Sequence, residues 1–122
     1  MSRSVLVVDD SSIARRIIKR VMENQGYRVL EARNGNDGLK MCQKHNVRLI
    51  ITDVNMPGMD GLTMLKEVRK IPLHKRTPAV VVSTEVSDDC LRLGRLYGVQ
   101  FWVRKPLEEG TLQEAARRAV AA

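Results

Sequence analysis

Aromatic residues are scarce in this 122-residue chain: one Trp, two Tyr and one Phe, 3% in all. That excludes the stacked-base platform with which many proteins hold single-stranded nucleic acid. Cysteine is scarce too. Cys42 and Cys90 lie far apart and form no C-x-x-C pair, so the chain has no disulfide framework or thiolate metal motif. Both read as reduced thiols in helical segments. No apolar run approaches the ~20 residues a membrane helix needs. The opening Met1-Ser2-Arg3-Ser4 leads directly into a short apolar run ending in two aspartates, which is not a secretory leader. A cytoplasmic protein without membrane insertion is expected. Repeats, low-complexity tracts and linkers are also lacking, so residues 1–122 read as a single domain.

What the chain does have is apolar material and positive charge. Hydrophobic residues make up 43%, ample for a core at a length where folding buries about two thirds of the unfolded surface. Lysine and arginine number 21 against 14 acidic residues, a net charge of +7, which favours anionic partners. Five short β-branched runs, Val5–Val8, Arg28–Ala32, Leu49–Thr52, Ala79–Ser83 and Phe101–Arg104, alternate with five helix-like stretches. Val-Leu-Val-Val and Ala-Val-Val-Val lack polar alternation, as strands covered on both faces do. Strand alternating with helix implies right-handed βαβ units and a parallel sheet.

The helices have readable faces. In the first, Ile13, Ile17, Ile18, Val21 and Met22 share one side, while Arg15, Arg16, Lys19 and Arg20 crowd the rest. Asp10, Ser11 or Ser12 caps its start and Gly26 fits its end. The basic face is either a solvated surface or a dock for an acidic partner. The second helix spans about Asn36 to His45. The third carries Leu62, Leu65 and Val68, with Pro72 beyond it. The fourth offers Val86, Cys90, Leu93 and Tyr97 at helical spacing. The fifth starts near Glu108, although Thr111 and Glu114 have the capping-box spacing of a start a few residues later. Asp60, Gly58 and Gly61 read as turn and cap chemistry, Met56 and Met59 as gap fillers, and His45 and His74 as surface or loop residues.

Ligands of an open parallel sheet bind outside the carboxyl ends of its strands. The first run is followed by Asp9 and Asp10, the third by Asp53 and the fifth by Lys105, and the fourth ends in Ser83. Three carboxylates, a hydroxyl and an ammonium are therefore expected along one edge. Such a set repels itself unless a cation enters, and oxygen-only donors select a hard ion, Mg²⁺ before Ca²⁺. A carboxylate beside a metal, a lysine and a hydroxyl is equipped to capture a phosphoryl group.

These residues carry a resemblance. Val7-Val8-Asp9-Asp10-Ser11, Thr52-Asp53-Val54-Asn55-Met56-Pro57-Gly58-Met59-Asp60-Gly61, Val82-Ser83 and Arg104-Lys105-Pro106 occur in this order, 30 residues separating Asp53 from Ser83 and 52 separating it from Lys105. Over essentially its whole length the chain resembles bacterial two-component response-regulator receivers, most nearly the stand-alone CheY-like type. The resemblance implies a doubly wound α/β, flavodoxin-like fold, five parallel strands in the order 2-1-3-4-5 flanked by five helices. It implies that Asp53 accepts a phosphoryl group from a sensor histidine kinase or histidine phosphotransfer protein. Asp9, Asp10, Asp53 and the Asn55 backbone carbonyl would hold Mg²⁺, for which Mn²⁺ could substitute. Lys105 and Ser83 would contact the phosphate, with Thr84 a second hydroxyl beside Ser83. Asn55 and Glu85 would tune autodephosphorylation. Trp102 would be the switch aromatic, bulkier than the usual Tyr or Phe, and Phe101 fills a position usually small. Lys105-Pro106 is expected to be cis.

Output would run through the fourth helix, fifth strand and fifth helix to a protein target, with homodimerisation an option and no nucleic-acid contact expected within the domain. The implied chemistry is limited to the protein's own phosphorylation and dephosphorylation, so the chain would not be an enzyme acting on other substrates. Two alternatives remain. The chain is a receiver cut from a longer, effector-bearing regulator, or it is an aspartyl-nucleophile phosphatase. Against the second, phosphatases of that kind carry D-x-D-x-T after the first strand, where this chain has adjacent Asp9-Asp10.

Overall fold

The β-branched runs form strands in the computed structural model, which describes residues 3–121. The strands are β1 (Ser4–Val8), β2 (Arg28–Ala32), β3 (Leu49–Thr52), β4 (Ala79–Ser83) and β5 (Val99–Arg104); the helices are α1 (Ser12–Asn24), α2 (Gly35–Lys44), α3 (Gly61–Val68), α4 (Asp88–Leu96) and α5 (Glu109–Ala121). All strand pairs are parallel and the order is β2-β1-β3-β4-β5, as the resemblance implied. β1, β3 and β4 lie inside the sheet and are almost fully buried, whereas the edge strands β2 and β5 are half-open. Pleating divides each central strand between two layers. Val5 and Val7 pack with Ile18, Val21 and Met22 of α1 and Leu112 and Ala116 of α5. Leu6 and Val8 pack with Cys42 of α2 and Met64, Leu65 and Val68 of α3.

The caps follow local chemistry. Ser11, Asn34, Asp60 and Ser87 each accept the backbone N–H three residues on, and so start α1, α2, α3 and α4. Several expectations change. α5 begins at Glu109, with Leu112 N donating to Glu108 O; Thr111 falls inside the first turn, so the capping-box reading fails. Val86 precedes α4 and Tyr97 closes it, while Leu93 and Leu96 face outward. β5 starts two residues before Phe101, where the β4 pairing has a register irregularity between Ala79 and Val80. Ile13 is 68% exposed, because the first turn of α1 stands at the open carboxyl edge of the sheet, and the buried stripe is Ile18, Val21 and Met22.

The clearest correction is His74. It is fully buried, in a short 3-10 turn, Pro72–His74. Its Nε2 accepts the Val47 N–H at 3.1 Å, a tertiary pairing that residue type and local pattern do not announce. Accepting through Nε2 requires the neutral ring. Burial pushes its pKa below the ordinary 6.5, and the Arg69 guanidinium acts in the same direction. The unfolded chain therefore takes up a proton near pH 6.5 that the folded chain refuses, so stability falls as pH drops below that point. Urea unfolding between about pH 7.5 and 5.5 is expected to show a loss of about 1 kcal/mol that His74→Gln lacks. Parallel pH profiles for the two proteins would contradict it.

Candidate functional site

Backbone hydrogen bonds between strands set the site residues side by side. Asp9 N donates to Ala32 O, Asp53 N to Val8 O and Lys105 N to Ser83 O, at 2.9 to 3.1 Å. Each side chain thus emerges at a carboxyl strand end with its backbone fixed by a neighbour. Asp9 Oδ1 accepts the Ser11 N–H at 2.9 Å and Asp53 Oδ1 the Val54 N–H at 2.7 Å. The second oxygens, Oδ2 of Asp9 and Oδ2 of Asp53, both accept from Lys105 Nζ at 2.8 Å. Lys105 precedes a cis bond to Pro106. Asp9 and Asp53 are buried, Asp10 is exposed, and carboxylate oxygens of the three lie within 4.8 Å of one another.

Charge balance decides what this cavity can take. Each like-charge pair at such a separation costs about 3 kcal/mol at an effective dielectric of 20, and one ammonium offsets part of that. Burial, with the Asp53 charge adding to it, pushes the Asp9 carboxyl above its ordinary value despite the Lys105 and Ser11 hydrogen bonds. Burial alone would lower Lys105, but its hydrogen bonds to Asp53 and Asp9 outweigh it and hold the ammonium above its ordinary value. The cavity is anionic on balance, with oxygen donors only, and its donor set fits a hard divalent cation.

The remaining sequence candidates separate by place. Ser83 is fully buried and its Oγ accepts the Glu85 N–H at 3.0 Å. Thr84 and Asn55 are exposed. Trp102 is half-buried against Val54, Leu62 and Val81, and its Nε1 donates to Glu85 O at 2.8 Å. Gly94 of α4 leaves room for the indole, since a Cβ there would come 2.8 Å from the ring. Glu85 and Trp102, 17 residues apart, are thus tied together. Sequence reasoning missed that link, because a backbone carbonyl acceptor has no signature. It also missed Arg15, whose Nη1 donates to Asp9 O at 2.6 Å. The faint signal was a basic residue one turn after the aspartate pair. The basic face of α1 is partly neutralised within the fold: Arg15 and Lys19 pair with Glu31, and Arg20 with Glu109.

Comparisons with known proteins agree with this geometry. The family model described as response regulator receiver domain matches residues 5–117. Chemotaxis protein CheY of Pseudomonas aeruginosa is 36% identical over 111 residues, 90% of each chain. Chemotaxis protein CheY1 of Helicobacter pylori is 38% identical over 112 residues, also 90% of each chain. The solved structure of chemotaxis protein CheY4 of Vibrio cholerae aligns with a TM-score of 0.91 at 34% identity, over 98% of this chain and 99% of that one. The doubly wound sheet, the acidic cavity at its carboxyl edge and these likenesses place the chain among the CheY-like receiver domains of two-component response regulators.

Proposed function

We propose that Asp53 is the phosphoacceptor of this receiver, and the observation carrying the reading is the Lys105 ammonium held at 2.8 Å from both Asp53 and Asp9. A phosphohistidine on a sensor histidine kinase or phosphotransfer protein is the donor class. An Asp53 carboxylate oxygen forms the new O–P bond as the donor P–N bond breaks, and the electron pair leaves on the imidazole. The acyl phosphate later loses its phosphoryl group to water, which releases inorganic phosphate and restores the carboxylate. Asp9, Asp10 and Asp53, with the Asn55 backbone carbonyl, are the groups to hold Mg²⁺ or Mn²⁺, which when bound supplies positive charge to the phosphate oxygens. Lys105 changes partner from the carboxylates to the phosphate, and the Ser83 hydroxyl donates to it. Thr84 is exposed and is the weaker hydroxyl candidate. Asn55 and Glu85 tune the hydrolysis and so set how long the phosphorylated state lasts.

Phosphorylation adds charge at the tip of β3, and the response is read on α4, β5 and α5 by a downstream protein or a second copy. Ser83 and Trp102 share Glu85: one accepts its N–H, the other donates to its carbonyl. A Ser83 movement toward phosphate therefore pulls on the indole. The described residues fold around one sheet, which supports a single receiver domain. Among them no helix is long and apolar enough to cross a membrane; we place the domain in the cytoplasm.

The test is labelling by acetyl phosphate with Mg²⁺. Incorporation is expected to plateau at about one phosphoryl group per chain and to vanish with a chelator, while p-nitrophenyl phosphate is not turned over. Sustained turnover of that phosphomonoester would identify a phosphatase instead.

A further inference from the structure

We propose that the amino-terminal edge of the sheet, opposite the phosphorylation cavity, is a second docking surface, fitted to an acidic, leucine-bearing segment of a partner protein. The segment 75–78, which leads into β4, forms a ridge between two grooves. One, of about 600 Å³, is lined by Arg48, Lys75 and Arg76 with Leu73 at its side. The other, of about 580 Å³, shares Lys75 and Arg76 and adds Arg69, Arg95 and Leu96. Five basic side chains therefore meet there, and among the described residues lining either groove there is no aspartate or glutamate. Arg48, Lys75, Arg76 and Arg95 make no ion pair among the described residues. The Arg69 guanidinium donates to the carbonyls of Tyr97, His74 and Thr77, so its charge meets no carboxylate. This contrasts with α1, where Arg15, Lys19 and Arg20 are paired within the fold.

The occupant follows from charge complementarity and shape. Unpaired cations around a concave surface attract an anion. Leu73 and Leu96, 60% and 71% exposed, stand one beside each groove, so the anion that fits also carries apolar side chains. Nucleic acid offers none, and among the described groove residues only the half-buried Tyr97 could stack a base. A bilayer surface does not enter a groove. A peptide alternating Asp or Glu with Leu straddles the ridge and fills both sides. Strands β3 and β4 separate this surface from Asp53 by roughly 15 Å, so it can be occupied while the phosphorylation cavity is engaged.

The experiment uses the intact protein and a fluorescein-labelled peptide of alternating Glu and Leu, read by fluorescence anisotropy at low ionic strength. Saturable binding is expected, weakened at least about ten-fold by K75E/R76E and, from the flanks, by R48E/R95E. R33E/K40E makes the same charge change on the exposed β2–α2 side and is expected to stay within about two-fold. Amide shifts caused by the peptide are expected at residues 73–78 and 95–98. No binding, equal loss with R33E/K40E, or equal affinity for the peptide with Gln for Glu would overturn the proposal. So would tighter binding of a thymidine oligonucleotide or of phosphatidylserine vesicles. Because Asp53→Asn leaves these grooves intact, peptide affinity is expected to be unchanged in that variant, which separates this proposal from the assignment of the phosphoacceptor.

Discussion

Asp53→Asn is expected to eliminate phosphoryl labelling, with acetyl phosphate and Mg²⁺ or with a phosphohistidine donor, while the protein stays folded. The amide keeps the shape of the carboxylate and an oxygen for the Val54 N–H, but its nitrogen and carbonyl form no acyl phosphate. The folding control has a sign of its own. In the metal-free cavity the Asp53 carboxylate gains one attraction, to Lys105, and suffers two repulsions, from Asp9 and Asp10. Removing that charge leaves Lys105 bonded to Asp9 and relieves both repulsions. Stability without Mg²⁺ is expected to rise by about 1 kcal/mol, or roughly 4 °C in Tm. Addition of Mg²⁺ stabilises the parent by mass action and the variant less. Labelling that survives in the variant would move the phosphoacceptor elsewhere, and Asp9 is the buried carboxylate left to take it. A large drop in Tm without Mg²⁺ would mean that the Lys105–Asp53 pair is structural.

The legible parts of this molecule were those with a repeating or positional signal. β2, β3 and β4 begin and end where their β-branched runs do; for β3 and β4 the reason is that a strand buried on both faces leaves few polar residues to blur its limits. The site was legible because topology does the positioning. Any residue directly after a strand of a parallel sheet reaches its carboxyl edge, so Asp9, Asp53 and Lys105 could be placed before their side chains were seen. What escaped depends on single tertiary contacts. His74 is polar and sits in a Pro-containing turn, which locally means surface, yet its hydrogen bond from the Val47 N–H holds it inside. Arg69 carries no distinguishing signal in the sequence, yet it joins the α3–β4 and α4–β5 connections through three carbonyls. Ile13 obeys the apolar period of α1 but lies past the end of the layer it would cover. Period and spacing report which face a residue is on, not whether anything stands opposite.

Gly61→Ala is expected to be the most damaging single-methyl change, and the reason connects the fold to the site. Gly61 opens α3 behind the Asp60 cap, and its N–H donates to Val54 O at 2.9 Å. A Cβ there would lie 1.9 Å from the Asp53 carbonyl oxygen and 2.9 Å from Thr52 Oγ1. The nearest obstacle is backbone of the residue assigned as phosphoacceptor, so it cannot yield by a rotamer change. Thr52 Oγ1 already donates to that same carbonyl at 2.8 Å, which closes the space further. Either α3 retreats from the sheet and exposes Leu62 and Leu65, or the Asp53 peptide turns and shifts its carboxylate away from Lys105. The first route costs about 3 kcal/mol, at least 10 °C in Tm; the second spares part of that and slows labelling. Gly110→Ala is the counterpart. It is an exposed position in α5 where a Cβ meets nothing within 4 Å, and its gain in helix propensity is expected to stabilise the protein by up to about 1 kcal/mol. Urea unfolding and acetyl phosphate labelling on the two variants separate backbone crowding from a general intolerance of glycine replacement. Unchanged stability and labelling in Gly61→Ala would mean that α3 does not press against the Asp53 backbone.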